Sequence, residues 1–456
     1  MERPDPPQTP KRHQAEHAAP PVPAQDSAPH ASKPPGHSGF LLVVNAGSSS
    51  VKFGVFDFDT LEPSARALLD WGGSGHRAVL TIMPSGQRDD SSAKDASANA
   101  APIRRELEAP DYRWAVARGL EALCGTASGP LHAGVIRGVG HRLIHGGEEI
   151  RQPVWIDAAM KQTIRRFLHL APLHIPAGLE AIEATEAALP GVPQVGLFDT
   201  AFFAHIPPCA YLYPVPYEWY TEWGIRRFGF HGTSHAYCTG RAHEMLGRGP
   251  AGVRLVICHL GQGSSATAVA DGVAVTNTMG FTPLEGFMMG TRSGTVDPGI
   301  LIYVQREKGL SVEEVDDILH HKSGLLGISG LSSDFRRVEM AAQQGHARAR
   351  LALEVYGYRV RTMIGALAVT LGGLDALVFT GGIGENSAWL RAEVCRGLEC
   401  LGVRLDADKN VATRPDGDVA AADSPARVLL IHTREDLMIA REARRLLLES
   451  GKMQEA

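Results

Sequence analysis

Arg292 stands alone among small residues, in the run Gly290-Thr291-Arg292-Ser293-Gly294. A guanidinium framed this way, near a glycine-lined loop, suits a transferring phosphoryl group. Such a loop lies upstream, Gly261-Gln262-Gly263-Ser264-Ser265, after the apolar run Leu255 to Leu260. Another, Asn45-Ala46-Gly47-Ser48-Ser49-Ser50, follows the apolar run Phe40 to Val44. Glycines let the backbone approach a ligand, and the exposed N–H groups of such turns suit phosphate oxygens. Arg142 sits on a strand-like apolar run, where a charge is costly unless a partner or ligand meets it. Asp199 closes the apolar strand Val195 to Phe198, a frequent site position in α/β folds. A third glycine-rich turn, Thr380 to Asn386, follows the apolar run Leu374 to Phe379 and precedes a helix, an arrangement that suits a nucleotide.

The elements that must position these residues follow from periodicity. Leu255 to Ala270 reads as strand, tight turn and alternating strand, closed by a hairpin turn at Asp271-Gly272. Phe40 to Val55 reads the same way, although the alternation lapses at Phe56 and Phe58. A unit repeated nearly half a chain apart predicts two similar domains, each giving one loop to a shared cleft. Pro176 starts and Pro190 stops a helix with Leu179, Ile182 and Leu189 on its apolar face. Gly224 to His235 (GIRRFGFHGTSH) has neither period and must be a shaped loop, with a helix from about Ser234. Residues 311–321 read as a short polar helix, 322–334 as a loop, Ala341 to Leu371 as one long helix, and Arg434 to Ser450 as the last helix. Alternating strands and helices predict an α/β protein.

Composition removes several classes. The 456 residues are 44% hydrophobic and 21% charged, ordinary for a globular protein large enough to bury its own core. A net charge of −5 gives no footprint for nucleic acid. No apolar run reaches the ~18 residues of a membrane span. The six cysteines form no C-x-x-C pair and sit mostly in apolar contexts, which suggests buried thiols in a reducing cytoplasm. No Walker-type loop occurs, and the G-x-G-x-x-G at Gly247 to Gly252 precedes a strand instead of following one. Residues 1–39 hold ten of the 29 prolines and few large apolar side chains, the composition of a disordered tail. The polar stretch 85–103 reads as a surface loop.

The runs NAGSSSVKF, GHRLIHGGE, LAPLH, FDTAF, GIRRFGFHGTSH, HLGQGSS, TPLEGFMMGTRSG, KSGLLGISG, TGGIGEN and TREDLMIAR, in this order, resemble the acetate kinase family over residues 40 to 448. The resemblance implies a duplicated actin-like ATPase (ribonuclease H-like) fold, two domains around a cleft. These would be residues 40–200 with 435–450, and residues 201–434. It implies a cytoplasmic homodimer that transfers phosphate between ATP and acetate with Mg2+, or with Mn2+ in its place. Asn45 and Glu435 match the metal-associated positions, oxygen donors suited to an ion that keeps water and bridges phosphates. Ser48, Ser50 and Lys52 match the first phosphate loop. His259, Leu260, Gly261, Gln262 and Gly263 match a nucleotide segment, as do Asp334, Phe335 and Arg336, and Gly382, Ile383, Gly384, Glu385 and Asn386. Arg142 and Arg292 match the arginines around acetate and the phosphoryl group. His231 matches the histidine that bonds the group in flight, and His174 and His235 match supporting histidines. His145 is read as structural. Ile144, Leu173, Phe230 and Pro283 match the acyl pocket.

Asp199 matches a carboxylate usually given an acid–base role. Acetate is already ionised at pH 7, so the expectation is that Asp199 orients an arginine or a metal-bound water. Two positions depart from the family pattern: Gln262 stands where H-L-G-N-G has asparagine, and Ile175 follows His174 where asparagine is usual. Competing readings are a propionate or butyrate kinase with the same machinery, and a non-catalytic actin-like regulatory or binding protein.

Overall fold

The computed structural model describes residues 39–47, 50–70, 77–84, 102–108, 111–124, 136–172 and 174–450. The expected tail therefore lies outside the described residues apart from Gly39, and so does the 85–103 loop apart from Pro102 and Ile103.

Two sheets carry the fold. The first contains β1 (Phe40–Ala46), β2 (Ser50–Asp57), β3 (Pro63–Asp70), β4 (Arg77–Pro84), β5 (Ile103–Glu108), β6 (Ile136–Leu143), β7 (Val154–Trp155) and β8 (Gln194–Phe198). Its order is β5-β4-β3-β2-β1-β6-β8-β7. The second contains β9 (Arg254–Leu260), β10 (Ser264–Ala270), β11 (Val273–Asn277), β12 (Ala376–Thr380), β13 (Gly417–Asp418) and β14 (Arg427–Leu430), in the order β11-β10-β9-β12-β14-β13. Five consecutive strands of each sheet match, β3-β2-β1-β6-β8 and β11-β10-β9-β12-β14. In both, an antiparallel meander (β1–β2–β3, β9–β10–β11) is followed by two strands parallel to the first, β6 and β8 or β12 and β14. This is the duplicated α/β architecture that the two similar strand–turn–strand units predict.

The lapse of alternation at Phe56 has a packing cause. Val51, Phe53 and Val55 face one core cluster, while Phe56 and Phe58 face another against Ile439, Ala440, Ala443 and Leu447 of the last helix, Glu435–Glu449. Both faces of β2 are covered, so both faces are apolar. That helix lies close on β6, where a Cβ on Gly140 would fall 2.6 Å from Ile439. It also offers Leu437 and Met438 to the second sheet's cluster, so it packs on both halves.

Three local expectations need correction. The 322–334 loop contains a short helix, Gly324–Ser329. The long helix is two, Phe335–Gln343 and Ala347–Thr370, because Gly345 takes φ +91° and His346 caps the second through its side chain. Gly381–Asn386 forms a helical turn, not an open loop. The hairpin at Asp271-Gly272 is as expected, with φ of +55° and +79°. Strands β3 to β5 and the helix Tyr112–Cys124 had no distinct sequence signal.

Candidate active site

Sheet register assembles the first half of the site. β1 and β6 run parallel with Asn45 beside Arg142, and β6 and β8 run parallel with Arg142 beside Leu197. Asp199 follows β8 directly, so three neighbouring strand ends bring an amide, a guanidinium and a carboxylate together. Arg142 donates Nε to Asp199 Oδ1 at 3.1 Å and Nη2 to Oδ2 at 2.7 Å. Its Nη1 donates to Asn45 Oδ1 at 3.2 Å, and Asn45 Nδ2 donates to Glu435 Oε2 at 3.4 Å. Thr233 adds a hydroxyl donor to Asp199 Oδ1 at 2.9 Å. Asp199 is buried and its oxygens are occupied by Arg142 and Thr233. Both of its oxygens are thus engaged by a guanidinium or a hydroxyl.

Electrostatics favour the charged forms here. Burial alone would lower the Arg142 pKa, but Asp199 and Glu435 raise it further, so it stays protonated. Burial pushes the Glu435 carboxyl up, yet Arg142, His259 and Lys52 pull it below the ordinary value. Glu435 and Asn45 together present a carboxylate and an amide oxygen, hard donors that fit a small divalent cation completing its shell with water and phosphate. Among the described residues no group of three acidic, His or Cys side chains could hold a metal alone.

The second half is built on β9 and β10. The turn between them closes through Gly261 N to Gly263 O at 3.1 Å, just as Gly47 N bonds Ser50 O at 2.8 Å in the first unit. Ser48 lies outside the described residues. Ser50 opens β2 and Lys52 is exposed, level with Asn45. Tyr356, on the helix Ala347–Thr370, shapes the second turn by bonding Ser264 Oγ at 2.9 Å. Sequence reading missed Tyr356, which nothing in the sequence set apart from Tyr358 on the same helix. Gln262 spans three segments. Its carbonyl accepts from Gly290 N at 3.2 Å, and its Nε2 reaches Ser333 Oγ at 3.5 Å. The longer side chain thus leaves the turn and lies over Gly290, where a Cβ would fall 2.2 Å from its Oε1.

His231 precedes the helix Gly232–Leu246 in a left-handed conformation, φ +59° and ψ +29°. That conformation is uncommon outside glycine and carries strain. Gly232 then lets the helix start against Asp199, since a Cβ there would meet the Asp199 carbonyl at 1.9 Å. His231 Nδ1 lies 2.9 Å from Ser265 Oγ, and His235 Nε2 lies 2.8 Å from the same oxygen. His259 stacks on His231 with ring centroids 4.5 Å apart and bonds Ser234. Burial first, then neighbouring histidines, and for His231 the two arginines as well, push His231 and His235 well below the ordinary value. His174 is lowered by burial, Arg292 and Arg142. His231 Nε2 and Arg292 Nη2 flank one glycine, 3.3 and 3.4 Å from where a Cβ of Gly263 would be.

Arg292 contrasts with Arg142. Its Nη1 donates to the Pro283 carbonyl at 3.0 Å, and among the described residues no carboxylate lies within ion-pair distance. Burial lowers its pKa with no acid to offset it. A half-buried guanidinium bonded to a carbonyl but to no carboxylate keeps charge available for an anion. Pro283 in turn lies on the segment after β11. Ile144 and Phe230 meet in an apolar cluster with Phe228, Met279 and Met289. Leu173 lies outside the described residues. His145 packs edge-on to Phe228 and Phe230 and accepts from Gly147 N, a structural placement.

The remaining nucleotide candidates divide. Asp334 caps its helix through Arg336 N and pairs with the Arg336 side chain. Phe335 is buried against Tyr356 and offers only backbone. Leu260 is also core, and Ile383 packs against the same cluster. Gly382 faces open space, and Asn386 bonds its carbonyl. The Glu385 side chain turns inward, accepting from Gly381 N at 2.9 Å and bonding His432 at 2.7 Å. Arg391, missed in the sequence, holds the Gly384 and Glu385 carbonyls from below at 2.9 Å each.

Comparison with known proteins covers nearly all of this. The model of the acetokinase family matches residues 40–441. The acetate kinase of Gloeobacter violaceus is 48% identical over 411 residues, 88% of this chain and 98% of that protein. The structure of Porphyromonas gingivalis acetate kinase superposes with a TM-score of 0.82 at 38% identity, covering 90% of this chain and 100% of the other. A propionate kinase from Francisella tularensis gives 0.80 at 35% identity, covering 89% and 99%.

Proposed function

The chain belongs to the acetokinase family, and we infer that it transfers the γ-phosphoryl group of ATP to acetate, reversibly, giving acetyl phosphate and ADP. The observation that carries this reading is the pair of unlike arginines. Arg142 is fully braced by Asp199 and Asn45, while Arg292 is half-buried without a carboxylate and opposes His231 across Gly263. An acetate oxygen attacks the γ-phosphorus, and the bond to the β–γ bridging oxygen breaks. No proton needs removing, so a buried Asp199 loses nothing by serving Arg142. Arg142 meets the carboxylate and Arg292 the equatorial oxygens, where charge is spread in the transition state.

His231 acts as a neutral donor. If His235 Nε2–H donates to Ser265, and Ser265 donates to His231 Nδ1, then His231 carries its proton on Nε2, toward Gly263. This assignment leaves His235 Nδ1, buried without a partner, as an empty acceptor and not a stranded donor. Mg2+ bound by Asn45 and Glu435 would neutralise phosphate charge. The two halves, 40–200 with 435–450 and 201–434, would close on the substrates, and the functional unit is a cytoplasmic homodimer. Buried thiols at Cys238, Cys258 and Cys395 suit a reducing compartment. Among the described residues no helix is long and apolar enough to cross a membrane.

A hydroxylamine trap for acyl phosphate, run with ATP and Mg2+ against acetate, propionate and butyrate, tests the reading. Acetate is expected to give the highest efficiency. One methylene is worth only ~1–3 kcal/mol, so propionate should follow at reduced efficiency. No signal with any of the three acids would sink the kinase reading and leave a binding protein.

A further inference from the structure

Two consecutive arginines leave the loop before His231 in different directions. Arg226 is buried, lies 3.7 Å from the Tyr211 ring centre and pairs with Glu148 at 3.1 Å. Arg227 pairs with Glu285 at 2.6 Å. Its Nη1 also donates to the carbonyls of Asn277, Thr278 and Met279 at 2.8, 3.2 and 3.0 Å. The second oxygen of Glu285 accepts from the Tyr213 hydroxyl, which itself accepts from Phe281 N at 2.9 Å. Gly280 leaves room for this junction, since a Cβ there would fall 1.7 Å from Glu285 Oε2.

Each carboxylate lies on a segment that carries a residue matched to the acyl pocket. Glu148 follows Ile144, Glu285 follows Pro283, and Phe230 lies on the arginines' own loop. We propose that Arg226 and Arg227 are positioning residues that hold these three walls at a fixed separation and so set the carboxylate chain length the pocket accepts. The inference rests on the acyl-phosphate reading above. The apolar floor alone is too compliant for that task, because Met279 and Met289 are adaptable side chains. Arg227 is held by four hydrogen bonds, and Arg226 by its ion pair, the Tyr211 ring and a bond from Nε to the Arg227 carbonyl at 3.2 Å, so a lysine could not reproduce their fork. None of the four side chains needs to touch substrate.

The test is Glu285→Gln in the full chain, with hydroxamate kinetics on acetate, propionate and butyrate. Acetate kcat/KM should fall about tenfold, mainly through KM, while the propionate-to-acetate ratio rises about threefold or more. KM for ATP should stay within about twofold. Tyr213→Phe keeps the ion pair, removes one hydroxyl and should shift the ratio the same way by less. It decides the matter if Glu285→Gln does not fold. An unchanged acid ratio in the variants that fold, whether or not total activity drops, overturns the proposal. If the unaltered chain makes no acyl phosphate from any of the acids, both this inference and the function reading fail.

Discussion

Asp199 holds Arg142 through two hydrogen bonds of 3.1 and 2.7 Å and is itself out of solvent. A carboxylate so placed is committed to the guanidinium before substrate arrives. Asp199→Asn should therefore lower kcat/KM for acetate by about 100-fold, the scale of a misplaced positioning group, because the guanidinium is no longer held in place. The loss should be uniform between pH 6 and 8. A pH limb of kcat present in the wild type and abolished in the variant would restore a proton-transfer role.

Arg292 has no carboxylate to leave stranded, so its removal should separate activity from stability. Arg292→Ala is expected to cut turnover by roughly 10³-fold, the scale of an arginine acting on a transferring phosphoryl group. Its thermal midpoint should stay near that of the wild type or rise slightly. Near-normal turnover would remove Arg292 from the phosphoryl site.

Ser265 is central to the histidine chain, 2.9 Å from His231 and 2.8 Å from His235. Ser265→Ala frees His231 to place its proton on either nitrogen. Turnover should fall by about 10–100-fold, the scale seen when a partner that fixes a histidine's tautomer is removed. Imidazole nitrogen shifts by NMR should show one dominant Nε2–H tautomer in the wild type and a mixture in the variant. A mixture in the wild type would contradict the chain.

Acid should weaken the fold through histidines held neutral. His141, buried and 2.6 Å from Gln194, is lowered by burial to about 4, and His145 by burial and His169 to about 3. Both lie below the ordinary value of 6.5 for an unfolded chain, so the unfolded state binds more protons between the two values. Their stabilisation is complete above pH 6.5 and is lost as pH falls toward 4, at ~1.4 kcal/mol per pH unit for each site. Urea unfolding at intervals from pH 7.5 to 4.5 measures this slope. His141→Gln should flatten it, and an unchanged slope would show that His141 is not a source.

How much of this was legible without the structure varies by residue. The repeated strand–turn–strand units predicted the duplication because both the turn glycines and the alternation are local properties. Arg142, Arg292 and Asp199 stood out because charge in an apolar or glycine setting is anomalous in one dimension. The partners were not legible. Asn45 meets Arg142 because β1 and β6 pair in parallel across an intervening stretch of chain, and Thr233 meets Asp199 because Gly232 lets a helix start against its carbonyl.

Which side chains of the nucleotide segments turn inward was not legible in the sequence. Phe335 and Leu260 sit in matching motifs but are core, and Glu385 turns back to cap its own turn. A motif constrains backbone and side chain alike, and only packing tells which one faces the ligand. By itself the sequence determined the α/β class, the duplication, the family and the residues that carry charge to the site. The tertiary structure alone decided that one arginine is braced and the other waits unpaired, because counter-ions are chosen by strand register and burial across long separations.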